Sequence, residues 1–137
     1  MRRVAAVLYW LATITIALGA FGHGLVGVVP VRQAFEVIAL PADIMRVFWI
    51  VWYFVSACML AFGALLAWAW PRLEAGASSR SGAALAIGVL YTVTGVASYL
   101  YTAGDPFWLL FVAQGALVLG STFVLRGHRI ERASEMR

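Results

Sequence analysis

The chain has 137 residues, of which 64% are apolar and 12% charged, against about 25% charged in a soluble domain. A water-soluble fold of this length has too little polar surface to cover such a content, which argues against soluble enzymes and soluble binding domains and makes lipid the expected solvent. The net charge of +4 comes from ten Arg and no Lys against six acids. These arginines sit in short caps beside apolar runs, which fits lipid headgroups and not nucleic acid.

Four stretches carry no charged side chain: Val4–Gly22, Val47–Trp70, Ala83–Ala103 and Pro106–Leu125. Each is long enough to cross a hydrocarbon core of about 30 Å at about 1.5 Å per residue. Only helices and closed barrels satisfy their backbone in lipid, and these runs lack the alternation of barrel strands. The expected fold is therefore an all-α membrane protein, a single domain over residues 1–137. It has four transmembrane helices (about 4–24, 44–70, 82–103 and 106–126) in an up-down bundle.

In chain order, the first run follows Arg2 and Arg3 and ends on small residues, as a signal peptide would. It exceeds the usual apolar core of about 7–15 residues, so it is expected to stay as a helix. The connection from Gly24 to Met45 is too apolar for a plain loop. Val31, Ala34, Phe35 and Ile38 recur at helical spacing, with Arg32, Gln33 and Glu36 on the other face. This predicts a short amphipathic surface helix over residues 31–40, with an Arg32–Glu36 pair. Asp43 follows at the start of the second spanning helix, where the helix dipole favours a carboxylate.

The segment Pro71–Gly82 is Gly-, Ser- and Ala-rich and reads as a flexible loop. The third helix carries a small-residue face of Ala84, Gly88, Thr92 and Gly95. Ala113, Ala116 and Gly120 form the expected counterpart on the fourth, and Ala20, Gly24 and Gly27 another at the end of the first. Such faces allow close helix approach. In Gly104-Asp105-Pro106, Asp105 is expected to cap the fourth helix with Pro106 in its first turn. Gln114 lies mid-helix, where an amide wants a partner such as Ser56, Thr92, Thr94 or Ser98. Residues 127–137 form a polar, basic tail.

Eight arginines (2, 3, 72, 80, 126, 129, 132 and 137) fall on one side of this topology and Arg32 and Arg46 on the other. The positive-inside rule then puts both termini in the cytoplasm. Arg without Lys in an Ala-rich chain suggests a high-GC bacterium, hence a bacterial cytoplasmic (inner) membrane. Tyr9, Trp10, Trp68 and Trp70 are expected to anchor the inner interface. Trp49, Trp52, Tyr99, Tyr101 and Trp108 would anchor the outer one.

The most suggestive chemistry is Phe21-Gly22-His23-Gly24. Glycines beside a histidine let backbone or ligand approach closely, and His23 can act as metal ligand, proton carrier or quinone contact. Glu36, Asp43, Trp49 and Asp105 share its side of the topology, and Gln114 is a second candidate ligand contact, within the membrane. The spacing matches no metal-ligand motif and points to no particular cofactor or catalytic residue. A haem held between two histidines of one chain is excluded, because His128 lies on the opposite side. Haem shared with another subunit is left open. The single Cys58 rules out thiol-pair redox chemistry within the chain, and no acidic residue interrupts the first helix as in small multidrug transporters.

Uncharged helices argue against ion-coupled transport, which places ionisable groups at membrane depth. The leading expectation is a non-catalytic accessory or assembly subunit of a larger bacterial membrane complex. Its partners would be the lipid bilayer and other membrane subunits or copies of itself. The second is a lipid-, quinone- or metal-binding protein or enzyme with an outer-face site around His23. The third is a small homo-oligomeric transporter or channel around Gln114.

Overall fold

Long apolar runs without internal Gly-Pro breaks propagate as helix, because every backbone bond can be made within the segment. The computed structural model describes residues 1–38, 40–75 and 81–135, and every secondary-structure element among them is helical. Helix α1 spans Arg2–Phe21, and a π-helical turn spans Gly22–Val26. Helix α2 spans Val28–Ile38, α3 Ala42–Glu74 and α4 Ser81–Tyr101. A single 3₁₀ turn, Pro106–Trp108, leads into α5, Leu109–Glu135. Four helical stretches are long and apolar enough to cross a membrane: Arg2–Ile38, Ala42–Glu74, Ser81–Tyr101 and Pro106–Arg126.

Helices α1, α3, α4 and α5 pack around a core of Tyr9, Ala12, Ile16, Leu66, Ala69, Leu73, Ala84, Ile87, Tyr91 and Val118. Arg2 donates to the carbonyl of Glu74, Tyr9 to that of Leu66, and His23 meets Ser56, so α1 and α3 run in opposite directions. Gly88 lies against Gly115 and Leu119, and Gly95 against Phe111 and Val112, so α4 and α5 do the same.

The structure departs from the sequence reading in several places. The first helix does not stop near residue 24, nor does a separate surface helix begin at 31. The Gly27 amide donates to the Gly22 carbonyl at 2.8 Å, and the π turn carries the chain directly into α2, which begins at Val28. One wide turn keeps backbone bonds made while shifting every later side chain around the axis. Helix α2 buries none of its residues. Phe35 meets Phe48 edge-on at 4.6 Å, and Arg32 lies over the Trp49 ring at 5.9 Å and not beside Glu36.

Helix α3 runs past the expected end at residue 70 and contains Pro71. A proline so near the end forfeits little, Leu73 is buried in the core, and Arg2 caps the Glu74 carbonyl. Likewise α5 continues through most of the expected tail to Glu135, since Arg, Glu and Ala are good helix formers. Of the expected flexible loop Pro71–Gly82, Pro71–Glu74 belong to α3 and Ser81 and Gly82 to α4; residues 76–80 lie outside the described residues, as do Ala39, Met136 and Arg137.

The turn into α5 follows expectation. The Gly104 amide closes onto the Tyr99 carbonyl at 2.8 Å, with Ala103 and Gly104 at φ 55° and 94°. Asp105 then caps the next turn by accepting from the Phe107 amide at 2.9 Å, with Pro106 inside that turn. On α5 the helix-facing glycine is Gly115, while Ala113, Ala116 and Gly120 are exposed. They fall on the side of α5 away from Gly88. Tyr9 is no interfacial anchor: it is completely buried, on the stripe Ala5, Tyr9, Ala12, Ile16.

Candidate ligand site at the His23 turn

The π turn bulges the chain toward α3, and glycines permit the resulting contact. A Cβ on Gly24 would lie 3.0 Å from Ser56 Oγ, and one on Gly27 3.1 Å from the Trp52 ring. Trp52 and Ser56 are one helical turn apart, so they present their side chains on the same face of α3. Trp52 Nε1 donates to the His23 carbonyl at 3.1 Å, using a backbone group of the widened turn. The His23 imidazole stacks on the Trp52 indole, with centroids 3.9 Å apart and planes 21° from parallel.

His23 Nδ1 lies 3.0 Å from Ser56 Oγ. The Ser56 hydroxyl donates to the Trp52 carbonyl at 3.4 Å, which commits its one proton. Oγ then accepts from Nδ1–H, and this assignment leaves Nε2 as the unprotonated ring nitrogen. No described residue is hydrogen-bonded to Nε2. The half-buried imidazole is therefore held by its ring face, its Nδ1 and its own backbone, while one strong acceptor points away from all three.

Aromatic rings continue from Trp52 toward α2. Phe48 stacks on Trp52 at 5.5 Å, and Trp49 meets Phe48 edge-on at 5.4 Å. Phe35 closes the group from α2. Trp49, a predicted site residue, thus belongs to this cluster, one turn along α3 from the Trp52 ring on which the imidazole stacks.

The predicted carboxylates do not gather around the imidazole. Asp43 makes an exposed pair with Arg46 at 3.5 Å, worth little in solvent. Glu36 is exposed on α2, and Asp105 is engaged as a cap. Among the described residues, no group of three or more His, Cys, Asp and Glu is placed to hold a metal ion.

Gln114 lies far from this turn along the chain, on the buried face of α5, and is 5% exposed. Two of its four expected partners are engaged elsewhere: Ser56 with His23, and Thr92 with the Gly88 carbonyl at 2.9 Å. No described residue bonds its side chain, and the buried Tyr91 hydroxyl is likewise without a partner among them. Thr122 is completely buried and its Oγ1 is also without a hydrogen-bond partner among the described residues, a liability that a same-sized apolar group removes. Thr122→Val is accordingly expected to raise stability by about 1 kcal/mol, read by thermal unfolding in detergent. A fall in stability would show instead that the hydroxyl is engaged by something bound within the bundle.

No protein-family model, curated protein or solved structure matches the chain. The chemistry of the site rests on its own geometry. An imidazole with Nδ1–H fixed and Nε2 open accepts a hydrogen bond or donates a lone pair to a metal. The stacked indole blocks one ring face, so a ligand reaches Nε2 from the ring edge. Sequence reasoning found His23 and its glycines but placed Trp52 only as an interfacial anchor and Ser56 only as a partner for Gln114. The signal available was Trp52-x-x-x-Ser56, a polar pair on one face of the uncharged run Val47–Trp70.

Proposed function

We propose that the chain is an integral membrane protein whose four long helices span the bilayer as an up-down bundle. Its role is that of a binding module for a small molecule, held at the end of the bundle that carries the His23 turn. The observation that carries this reading is the oriented imidazole, with Nδ1 committed to Ser56 and Nε2 unpartnered among the described residues. π turns are frequent at functional sites, which supports the same reading. The Arg distribution supports cytoplasmic termini and an outward-facing site, and composition supports a bacterial inner membrane.

A second reading, the accessory subunit of a larger membrane complex, draws on a different observation. Helix α2 and the first half of α3, residues 42–58, contain no buried residue, yet they carry a continuous aromatic cluster. Lipid covers such a face, and so does a partner helix. The transporter reading receives less support, because Gln114 points into the chain's own core and not toward a pore between copies.

Native mass spectrometry of the protein taken from its host membranes in mild detergent tests both. The binding reading expects a co-purifying small mass on the wild type that is lost from His23→Ala. Equal small-molecule content in the two would remove it. A stoichiometric heavier complex that survives in His23→Ala would establish the accessory reading in its place.

A further inference from the structure

Helices α3 and α4 meet where the Phe62 ring touches the Tyr91 ring edge-on at 6.3 Å. Helical spacing continues that contact toward the His23 end, along Cys58, Val55 and Val51 on α3 and along Thr94, Ser98 and Tyr101 on α4. Had the helices stayed together, these two stripes would cover each other. Val51 and Val55 are instead 53% and 40% exposed, Thr94 and Tyr101 are exposed, and Ser98 is only half-buried. In this half α3 has no buried residue before Met59. The one buried residue of α4 beyond Tyr91 is Gly95, which lies against Phe111 and Val112 of α5. The two helices therefore part beyond the Phe62–Tyr91 contact and leave a gap that opens sideways from the bundle. From Tyr91 to the end of α4 at Tyr101 it is about 15 Å long at about 1.5 Å per residue, half of a hydrocarbon core.

We infer that this gap receives α4 of a second copy of the chain, and that the protein is a two-fold dimer through it. The hydroxyls decide between occupants. Thr92 and Thr102, on the same helix, donate back to carbonyls one turn earlier, of Gly88 at 2.9 Å and of Ser98 at 2.8 Å. The Thr94 and Ser98 hydroxyls make no such bond and have no partner among the described residues. A lipid chain offers neither donor nor acceptor, so it leaves both unmet. A helix with hydroxyls at the same heights meets them, and transmembrane helices associate through such contacts.

The chain carries that helix itself. A hydroxyl both donates and accepts, so a stripe of hydroxyls is self-complementary. About a two-fold axis along the bundle, residues at equal height meet, Thr94 against Thr94 and Ser98 against Ser98. Ala97, exposed on the same side of α4, keeps the patch small enough for close approach. Each α4 then lies beside the α4 of the other copy and over its Val51 and Val55, so one contact closes both gaps. The inference does not rest on the binding reading: His23→Ala, which tests that reading, is expected to leave the dimer unchanged.

Disulfide trapping in membranes tests it. The sole cysteine is first removed as Cys58→Ala. Thr94→Cys is then compared with Ala113→Cys. Ala113 lies at the same depth, next to the Val112 that meets Gly95, but is exposed on the side of α5 away from Gly88. A disulfide needs two Cα atoms within about 7 Å. Oxidation with copper phenanthroline is expected to link Thr94→Cys into a two-chain product and to leave Ala113→Cys unlinked. No self-linked product from Thr94→Cys, or equal yields from the two variants, overturns the inference. So does linkage of Thr94→Cys only to a different protein. Sedimentation equilibrium in detergent then reads the hydroxyls. Thr94→Val combined with Ser98→Ala, its folding checked by circular dichroism, is expected to raise the dimer dissociation constant about tenfold, the scale of two interhelical hydroxyl bonds. A dissociation constant indifferent to the loss of both hydroxyls overturns it as well.

Discussion

Gly115→Ala is expected to destabilise the protein by about 3 kcal/mol, the upper end of the range for overpacking. A Cβ at Gly115 would lie 2.6 Å from both the Gly88 carbonyl oxygen and the Thr92 amide nitrogen, and it would also strike Thr92 Oγ1. Two of the three obstacles are backbone atoms of α4, which cannot rotate away, so the helices must separate. For helices that span a membrane, as proposed, that loss is not offset by a hydrophobic effect, since close packing of small residues is itself what holds such helices together. Gly120→Ala is the control. It lies on the same helix with nothing within 4 Å of its would-be Cβ, and the change should stay within about 0.5 kcal/mol or help slightly. Thermal unfolding of both variants in detergent, followed by circular dichroism, decides it. Equal stability of the two would mean that α4 and α5 do not meet at Gly115.

That contact shows where sequence reasoning reached and where it stopped. The four long helices were legible because an uncharged run of this length has few other ways to satisfy its backbone. The α4–α5 turn was legible because Asp105 and Pro106 act within a few residues of themselves. Gly88 and Gly95 were legible as a close-approach face. Their partner was not, because Ala113, Ala116 and Gly120 form an equally plausible small stripe, and only the rotation of α5 about its axis decides for Gly115. Rotation is set by the whole bundle. The π turn escaped for a similar reason: its extra residue is compensated by Trp52 and Ser56, which are distant in sequence. Charge was the weakest guide. Asp43, Glu36 and Asp105 share one side of the topology with His23, but sharing a side does not bring groups within bonding distance, and each carboxylate is exposed.

Tyr9→Ala is expected to cost about 2–3 kcal/mol. Deleting a large buried aromatic from a water-soluble core costs about 3–5 kcal/mol, of which part is transfer from water. For a bundle in lipid that transfer part falls away, leaving the cavity and the lost ring contacts. Those contacts are specific: Tyr9 has no exposed surface, and its ring sits 5.5 Å from that of Trp70. Tyr9→Phe separates the ring from the hydroxyl. The Tyr9 hydroxyl donates to the Leu66 carbonyl at 2.8 Å, a group that also lies within the α3 helix ladder and so is not orphaned by the change. The expected cost is then only about 1 kcal/mol. Unfolding of the two variants in detergent gives the ratio directly. A large loss in both would place the weight on the hydroxyl bridge between α1 and α3. A small loss in both would return Tyr9 to the interfacial, anchoring position that its sequence neighbourhood suggests. The expected pattern, large for Ala and small for Phe, identifies packing as what fixes α1 against α3. It is this α1–α3 contact that also sets the His23 turn against Trp52 and Ser56.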